Sequence, residues 1–146
     1  MVGAYLDASV LVSLLLGETS SGAVARWIAK VELPLLVSDF AAAEVSSAIS
    51  LAVRQGRETA ANGVSRLSDI DDWRSAAPTI PVDVDSEDIR MADQIVRAFD
   101  LGLKTPDALH VATAQRLNAR LVTLDRRLLR AASALGVEAI SPGGPD

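Results

Sequence analysis

Five short apolar stretches recur along this 146-residue chain: Ala4–Leu6, Leu35–Val37, Ile80–Val84, Leu121–Leu124 and Val137–Ile140. None alternates cleanly between apolar and polar residues. A continuous apolar strand is one buried on both faces, and helices must then cover the sheet above and below. The intervening segments carry the expected helical punctuation. Ser9–Leu16 closes on Gly17, and Ser20 or Ser21 caps a helix to about Lys30. Pro34 marks a turn, Ser38 caps a helix over about Asp39–Gln55, and Gly56 follows as its C′ residue. Arg57 to about Arg74 reads as a helix weakened by Gly63, and Pro78 and Pro81 bracket the third strand. Ser86-Glu87-Asp88 opens a helix to about Phe99, ended by Gly102, with its acids at the positive end of the dipole. Thr105 is expected as an N-cap with Pro106 at the first helical position, and that helix runs to about Leu117. A last helix spans Asp125–Leu135. The pattern predicts an α/β fold with a parallel sheet, one domain over 1–141 and a loose Pro/Gly-rich tail over 142–146.

Composition removes most chemistries. There is no cysteine and only one histidine, which excludes disulfide scaffolds, thiolate metal sites, a cysteine nucleophile and a multi-histidine centre within one chain. The formal net charge is −5, so overall charge does not mark a nucleic-acid binder, nor does it favour an anionic membrane surface. Two Trp, one Tyr and two Phe are too few for a stacking platform. The apolar run Val10–Leu16 is broken by Ser13 and falls far short of the ~20 residues a membrane span needs. The first residues lack the basic start of a signal peptide, so a cytoplasmic location is expected. Apolar residues still make up 49% of the chain, a value that points to partner-facing surface around Val10–Ala29 and Ala41–Val53.

Carboxylates are what remains for chemistry. In open α/β sheets ligands bind beyond the carboxyl ends of the strands. Asp7 ends the first strand and Asp125 the fourth, and Asp107 lies in the first turn of the helix before the fourth strand. Glu44 lies on the flank of the helix stripe Ala41, Val45, Ala48, Ile49 and Ala52, beside small residues over which a long side chain can reach inward. His110, one turn after Asp107, reads as a structural residue, and the acids from Asp83 to Asp93, with Asp69, Asp71 and Asp72, read as solvated faces. Carboxylates held close together raise one another's pKa, and a hard divalent cation such as Mg²⁺ or Mn²⁺ relieves that repulsion. Such a site activates water and offsets charge on a phosphodiester.

The ordered set Asp7-Ala8-Ser9, Ala43-Glu44-Val45, Thr105-Pro106-Asp107-Ala108-Leu109-His110 and Leu121-Val122-Thr123-Leu124-Asp125 resembles the PIN-domain family, in particular VapC-type toxins of bacterial toxin–antitoxin pairs. The resemblance covers about residues 2 to 141. It implies a three-layer α/β/α sandwich on a five-stranded parallel sheet and a Mg²⁺- or Mn²⁺-dependent endoribonuclease. Asp7, Glu44, Asp107 and Asp125 match the family's acidic positions, and Ser9 and Thr123 match supporting hydroxyls. It also implies a homodimer, a small VapB-like antitoxin as partner and RNA as substrate. Arg126, Arg127 and Arg130 follow Asp125 and are candidates for contacting RNA phosphates, with the competing role of solvating the last helix.

Three other readings share the opening strand and acid. A haloacid-dehalogenase-like phosphatase needs a second Asp two residues after the first, where this chain has Ser9. A receiver-like domain needs a lysine near the last strand, and Lys30 and Lys104 are the only lysines. A non-catalytic RNA- or protein-binding module on the same fold is separated from an enzyme only by assay.

Overall fold

The computed structural model describes residues 2–17, 19–76 and 79–143. In chain order the elements are β1 (Ala4–Leu6), α1 (Ala8–Leu16), α2 (Ser21–Lys30), β2 (Leu35–Ser38), α3 (Asp39–Arg54), α4 (Ala60–Ala76), β3 (Thr79–Val82), α5 (Ser86–Val96), a 3₁₀ turn (Phe99–Leu101), α6 (Thr105–Arg116), β4 (Arg120–Val122), α7 (Arg126–Ala134) and β5 (Ala139–Ile140). The five strands form one sheet in the order β3-β2-β1-β4-β5, and every pairing is parallel.

Alternate residues of each central strand feed two cores. Ala4, Leu6, Leu35, Val37 and Val122 face α1 to α4, and Tyr5, Leu36 and Leu121 face α5 to α7. This is the three-layer sandwich the resemblance implies. It explains why β1 is buried at all three positions and reads as an unbroken apolar run. Burying a side chain such as Leu6 or Leu121 completely contributes roughly 1.5–3 kcal/mol.

Strand order fixes where a ligand can sit. From β1 the chain crosses one face through α1 and α2 to reach β2, while β4, on the other side of β1, is reached through α5 and α6 on the opposite face. The crevice beyond the carboxyl ends of β1 and β4 is therefore the topological switch point.

Several local expectations change. Lys104, not Thr105, is the N-cap of α6, and Thr105 is already helical, one residue from Pro106. α4 starts at Ala60 rather than Arg57, β3 is shifted to Thr79–Val82, and β5 shrinks to two residues. Ser20 caps α2 without a side-chain bond, because its hydroxyl pairs with that of Ser13 at 2.6 Å. Gly63 is not a weak point of α4 but its contact with α3, since a Cβ there would stand 2.9 Å from Val53 Cγ2. Asp88 is the clearest correction to the solvated face. It is 1% exposed, its side chain accepts from the Asp85 N–H, and Arg116 pairs with it at 2.7 Å. Pro78 and residues 144–146 of the expected tail lie outside the described residues. Among the described residues no single helix is long and apolar enough to cross a membrane.

Candidate active site

Asp7 leaves β1 and caps α1, accepting the Val10 N–H at 3.2 Å on Oδ1. It is 3% exposed. The Ser9 hydroxyl donates to Oδ1 at 2.6 Å, and the Thr123 hydroxyl donates to Oδ2 at 2.5 Å. Burial raises its carboxyl above the usual range, and these hydrogen bonds oppose the shift without cancelling it. The two supporting hydroxyls expected from sequence therefore sit on the two oxygens of the same carboxylate. They also tie β1 to β4. The Leu124 N–H donates to Ser9 Oγ at 2.9 Å, and the Asp125 N–H donates to Thr123 Oγ1 at 3.0 Å.

Asp125 follows β4 and caps α7 through Oδ1, which accepts the Arg127 and Leu128 N–H groups at 2.8 and 3.2 Å. Its contacts with the peptide chain use that oxygen and leave Oδ2 unengaged among the described residues. Asp107, in the first turn of α6, is partly buried. Burial lifts its pKa, and the negative charges of Asp125, Glu44 and Asp7 push it the same way, while His110 opposes them. Four acids, from the end of β1, from α3, from α6 and from the β4–α7 loop, thus act on one another through their charge.

Glu44 reaches the group from α3, on the opposite face of the sheet from α6. Its Oε1 meets His110 Nε2, and the two residues are 66 apart in sequence. The ring of His110 is buried between Tyr5 and Phe40, with centroids 5.6 and 5.3 Å away. Its other nitrogen, Nδ1, lies 2.8 Å from the Tyr5 hydroxyl, which lies 2.9 Å from Ser38 Oγ. Sequence reasoning gave His110 a structural role and did not single out Tyr5. The only sequence signal was that position 110 shares a helix face with Asp107.

A cleft of about 480 Å³ opens beside these acids, lined in part by Ser9, Val12, Glu44, Leu124 and Asp125. Arg126, Arg127 and Arg130 are exposed on α7, and Arg127 reaches the Gly102 carbonyl at 3.4 Å. None of the three makes an ion pair among the described residues.

Among the described residues no three acidic or histidine side chains close on one point at ligating distance. Glu44 and Asp125 line the open cleft, and Asp7, Glu44 and Asp125 are each restrained by donors. The donor set nevertheless fits a hard divalent cation: it is all oxygen, and its members repel one another around Asp107.

The PIN domain profile matches residues 4–134. Ribonuclease VapC46 of Mycobacterium tuberculosis is 33% identical over 145 residues, covering 97% of this chain and 99% of that protein. Among solved structures, VapC20 of Mycobacterium tuberculosis, a sarcin–ricin loop cleaving toxin, superposes with a TM-score of 0.68 at 18% identity, covering 92% of this chain and 95% of that one. VapBC2 of Rickettsia felis, bound to a DNA fragment from its promoter, gives 0.67 at 15% identity, covering 94% and 97%. The match over most of the chain, together with an acid-rimmed crevice at the switch point of a five-stranded parallel sheet, means that this chain belongs to the PIN-domain family.

Proposed function

We propose that this chain is a divalent-metal-dependent endoribonuclease, the toxin of a toxin–antitoxin pair. The observation that supports the reading is a cleft beyond β1 and β4 lined by Glu44 and Asp125, next to an Asp107 whose pKa is raised by burial and by the charges of Asp125, Glu44 and Asp7. The name ribonuclease on a relative 33% identical over 97% of this chain supports it. Those four residues would hold Mg²⁺ or Mn²⁺. When bound, the cation supplies activation of a water nucleophile and offsets charge at the phosphodiester.

The protein's own groups do the positioning. Ser9 and Thr123 hold the two oxygens of Asp7, and the N-terminus of α7 holds Asp125. Arg126, Arg127 and Arg130, lying just past Asp125 and free of ion pairs among the described residues, are the cations available to flanking phosphates. The chain's net charge of −5 then opposes RNA elsewhere and leaves α7 as the approach.

The partner in this reading is a small VapB-like antitoxin that enters the cleft between α1, α3 and the β4–α7 loop, lined by Val12, Ala48 and Leu124. A homodimer is expected, with Val64, Ile89 and Phe99 among the exposed apolar side chains available to it. RNA as substrate puts the working location in the cytoplasm.

The test is cleavage of an end-labelled RNA with Mg²⁺, with Mn²⁺ and with EDTA, followed by analysis of the product ends. Direct attack of water on phosphorus leaves a 3′-hydroxyl and a 5′-phosphate. A 2′,3′-cyclic phosphate, or full activity in EDTA, overturns the mechanism. Co-purification with the product of the adjacent reading frame, scored by mass in solution and loss of activity, tests the antitoxin.

A further inference from the structure

The contacts behind Glu44 have a direction that is fixed at both ends. At one end, the Ala41 backbone N–H donates to Ser38 Oγ at 3.0 Å, and an amide N–H can only donate. At the other end, an ionised Glu44 carboxylate can only accept. Between them lie Ser38 Oγ, the Tyr5 hydroxyl and the two nitrogens of His110, in contact one after another. Ser38 and Tyr5 are fully buried and His110 nearly so, which leaves no water to absorb a mismatched proton.

One arrangement gives every proton an acceptor. Ser38 Oγ accepts from Ala41, so its own O–H points to the Tyr5 oxygen. The Tyr5 O–H points to His110 Nδ1, and His110 Nε2–H points to Glu44 Oε1. A proton on Nδ1 would instead drive the Tyr5 O–H back toward Ser38 Oγ. The Ser38 hydroxyl proton would then have no acceptor among the described residues. Burial also pushes the Tyr5 phenol upward, which keeps it a donor.

We infer that Tyr5 and His110 are positioning residues for Glu44: a one-way chain of hydrogen bonds, begun at the first turn of α3 and passed beneath the rim through the His110 ring, fixes that carboxylate over the site. Glu44 needs such a device. It stands on α3 while its fellow acids Asp7 and Asp125 are pinned beside the strands that carry them, and it is a long side chain with three torsions to restrain. The His110 bond engages Oε1 and leaves Oε2, which has no hydrogen-bond partner among the described residues, to face the pocket. The consequence for catalysis rests on the nuclease reading, whereas the proton arrangement does not.

The test begins with the metal-free protein. This chain has a single histidine, so ¹⁵N-labelled protein gives one unambiguous set of ring signals. The expected signature at neutral pH is a protonated Nε2 and a bare, hydrogen-bonded Nδ1. In Tyr5→Phe the Nδ1 partner is gone, so the bare Nδ1 loses the shift of its hydrogen bond while Nε2–H stays on Glu44. Mn²⁺ titration by calorimetry then reads positioning directly. Loss of a group that orients a ligand costs about 10–100-fold in metal affinity or activity. His110→Ala is expected to lose that much affinity and kcat with little change in KM for RNA. His110→Gln, whose amide N–H sits near the place of Nε2, recovers most of it. Tyr5→Phe falls between. If His110→Ala does not fold, His110→Gln and Tyr5→Phe decide the matter.

A proton on Nδ1 in the wild-type protein, which would turn the Tyr5 O–H back toward Ser38, overturns the inference. So does a folded His110→Ala or Tyr5→Phe with wild-type Mn²⁺ affinity. The expected tautomer and Mn²⁺ losses in a protein that cuts no RNA support the positioning role and overturn only the nuclease reading.

Discussion

Asp7→Asn tests whether the central acid serves folding or chemistry. The carboxylate is 3% exposed and accepts three hydrogen bonds, from Ser9, Thr123 and the Val10 N–H. Asparagine keeps Oδ1 for Ser9 and Val10. Its NH₂ replaces Oδ2 and must donate to Thr123 Oγ1, which already accepts from the Asp125 N–H. The Thr123 proton then has to turn toward Ser9 Oγ, 3.5 Å away, so about one net hydrogen bond is weakened, a cost of about 1 kcal/mol. Against that stands the charge. Burial raises the Asp7 pKa in the folded protein, so above that pKa the ionised carboxylate weakens the fold by about 1.4 kcal/mol for each unit of elevation. At neutral pH without metal the variant is therefore expected to melt at or above the wild type. Each kcal/mol is read as roughly 2–4 °C in a chain of this size. The sign follows from proton uptake. Between the unfolded value of 3.8 and the raised native one, the folded wild type holds the extra proton, so its stability falls as pH rises and then levels off. The advantage of the variant is thus full at neutral pH and disappears below the ordinary carboxylate range. Mg²⁺ reverses the order. At a hundred times its dissociation constant it stabilises the wild type by about 2.7 kcal/mol, and the variant, having lost a metal charge, gains far less. RNA cleavage falls by orders of magnitude. Calorimetric melts in EDTA and in Mg²⁺, across pH, read all of this. A variant that unfolds in EDTA where the wild type stays folded would make Asp7 a structural residue and refute the reasoning.

The remaining predictions concern the rest of the chain. Arg116→Leu leaves the buried Asp88 carboxylate without its partner and is expected to cost about 3–5 kcal/mol in urea unfolding, with no metal effect of its own. Burial works to raise the Asp88 pKa, but Arg116, the Asp85 N–H and Thr113 outweigh it and hold it below the usual value. Stability from this pair is present above the unfolded value of 3.8 and is lost as pH falls through the lower native one, which a pH series of wild-type melts measures. Arg126→Glu with Arg130→Glu should raise KM for RNA with kcat little changed and flatten the dependence of KM on salt, since fewer phosphates are neutralised; unchanged salt dependence would return these residues to the role of solvating α7.

Much of the site was legible because it is local. Asp7 and Asp125 each follow an apolar strand and start a helix, so strand end, N-cap and acid coincide within a few residues. Ser9 stands two positions after Asp7, so spacing alone brings its hydroxyl to that carboxylate, whereas the Thr123 hydroxyl accepts the Asp125 N–H locally and reaches the Asp7 carboxylate only across the sheet. Asp107 was legible through the helix start at Thr105-Pro106, although the capping residue itself proved to be Lys104. Such features depend on backbone periods of two and 3.6 residues, which a sequence displays directly.

What spans the sheet was not legible. The sequence by itself determined the five strands, the parallel architecture and the candidate acids, and it read the double-sided burial of the central β1 and β2 correctly, while β3 and β5 at the sheet edges stay partly exposed. Only the tertiary structure decided that β4 lies beside β1, which brings Asp125 to Asp7, and that α3 and α6, packed on opposite faces, let Glu44 meet His110. It also turned Asp88 from a surface acid into a buried partner of Arg116, and Gly63 from a helix weakness into a close contact with α3. The physical reason is common to all of these. A side chain's local pattern fixes which way it points from its own element, but its partner is set by how elements stack, and stacking is decided by apolar burial summed over the whole chain.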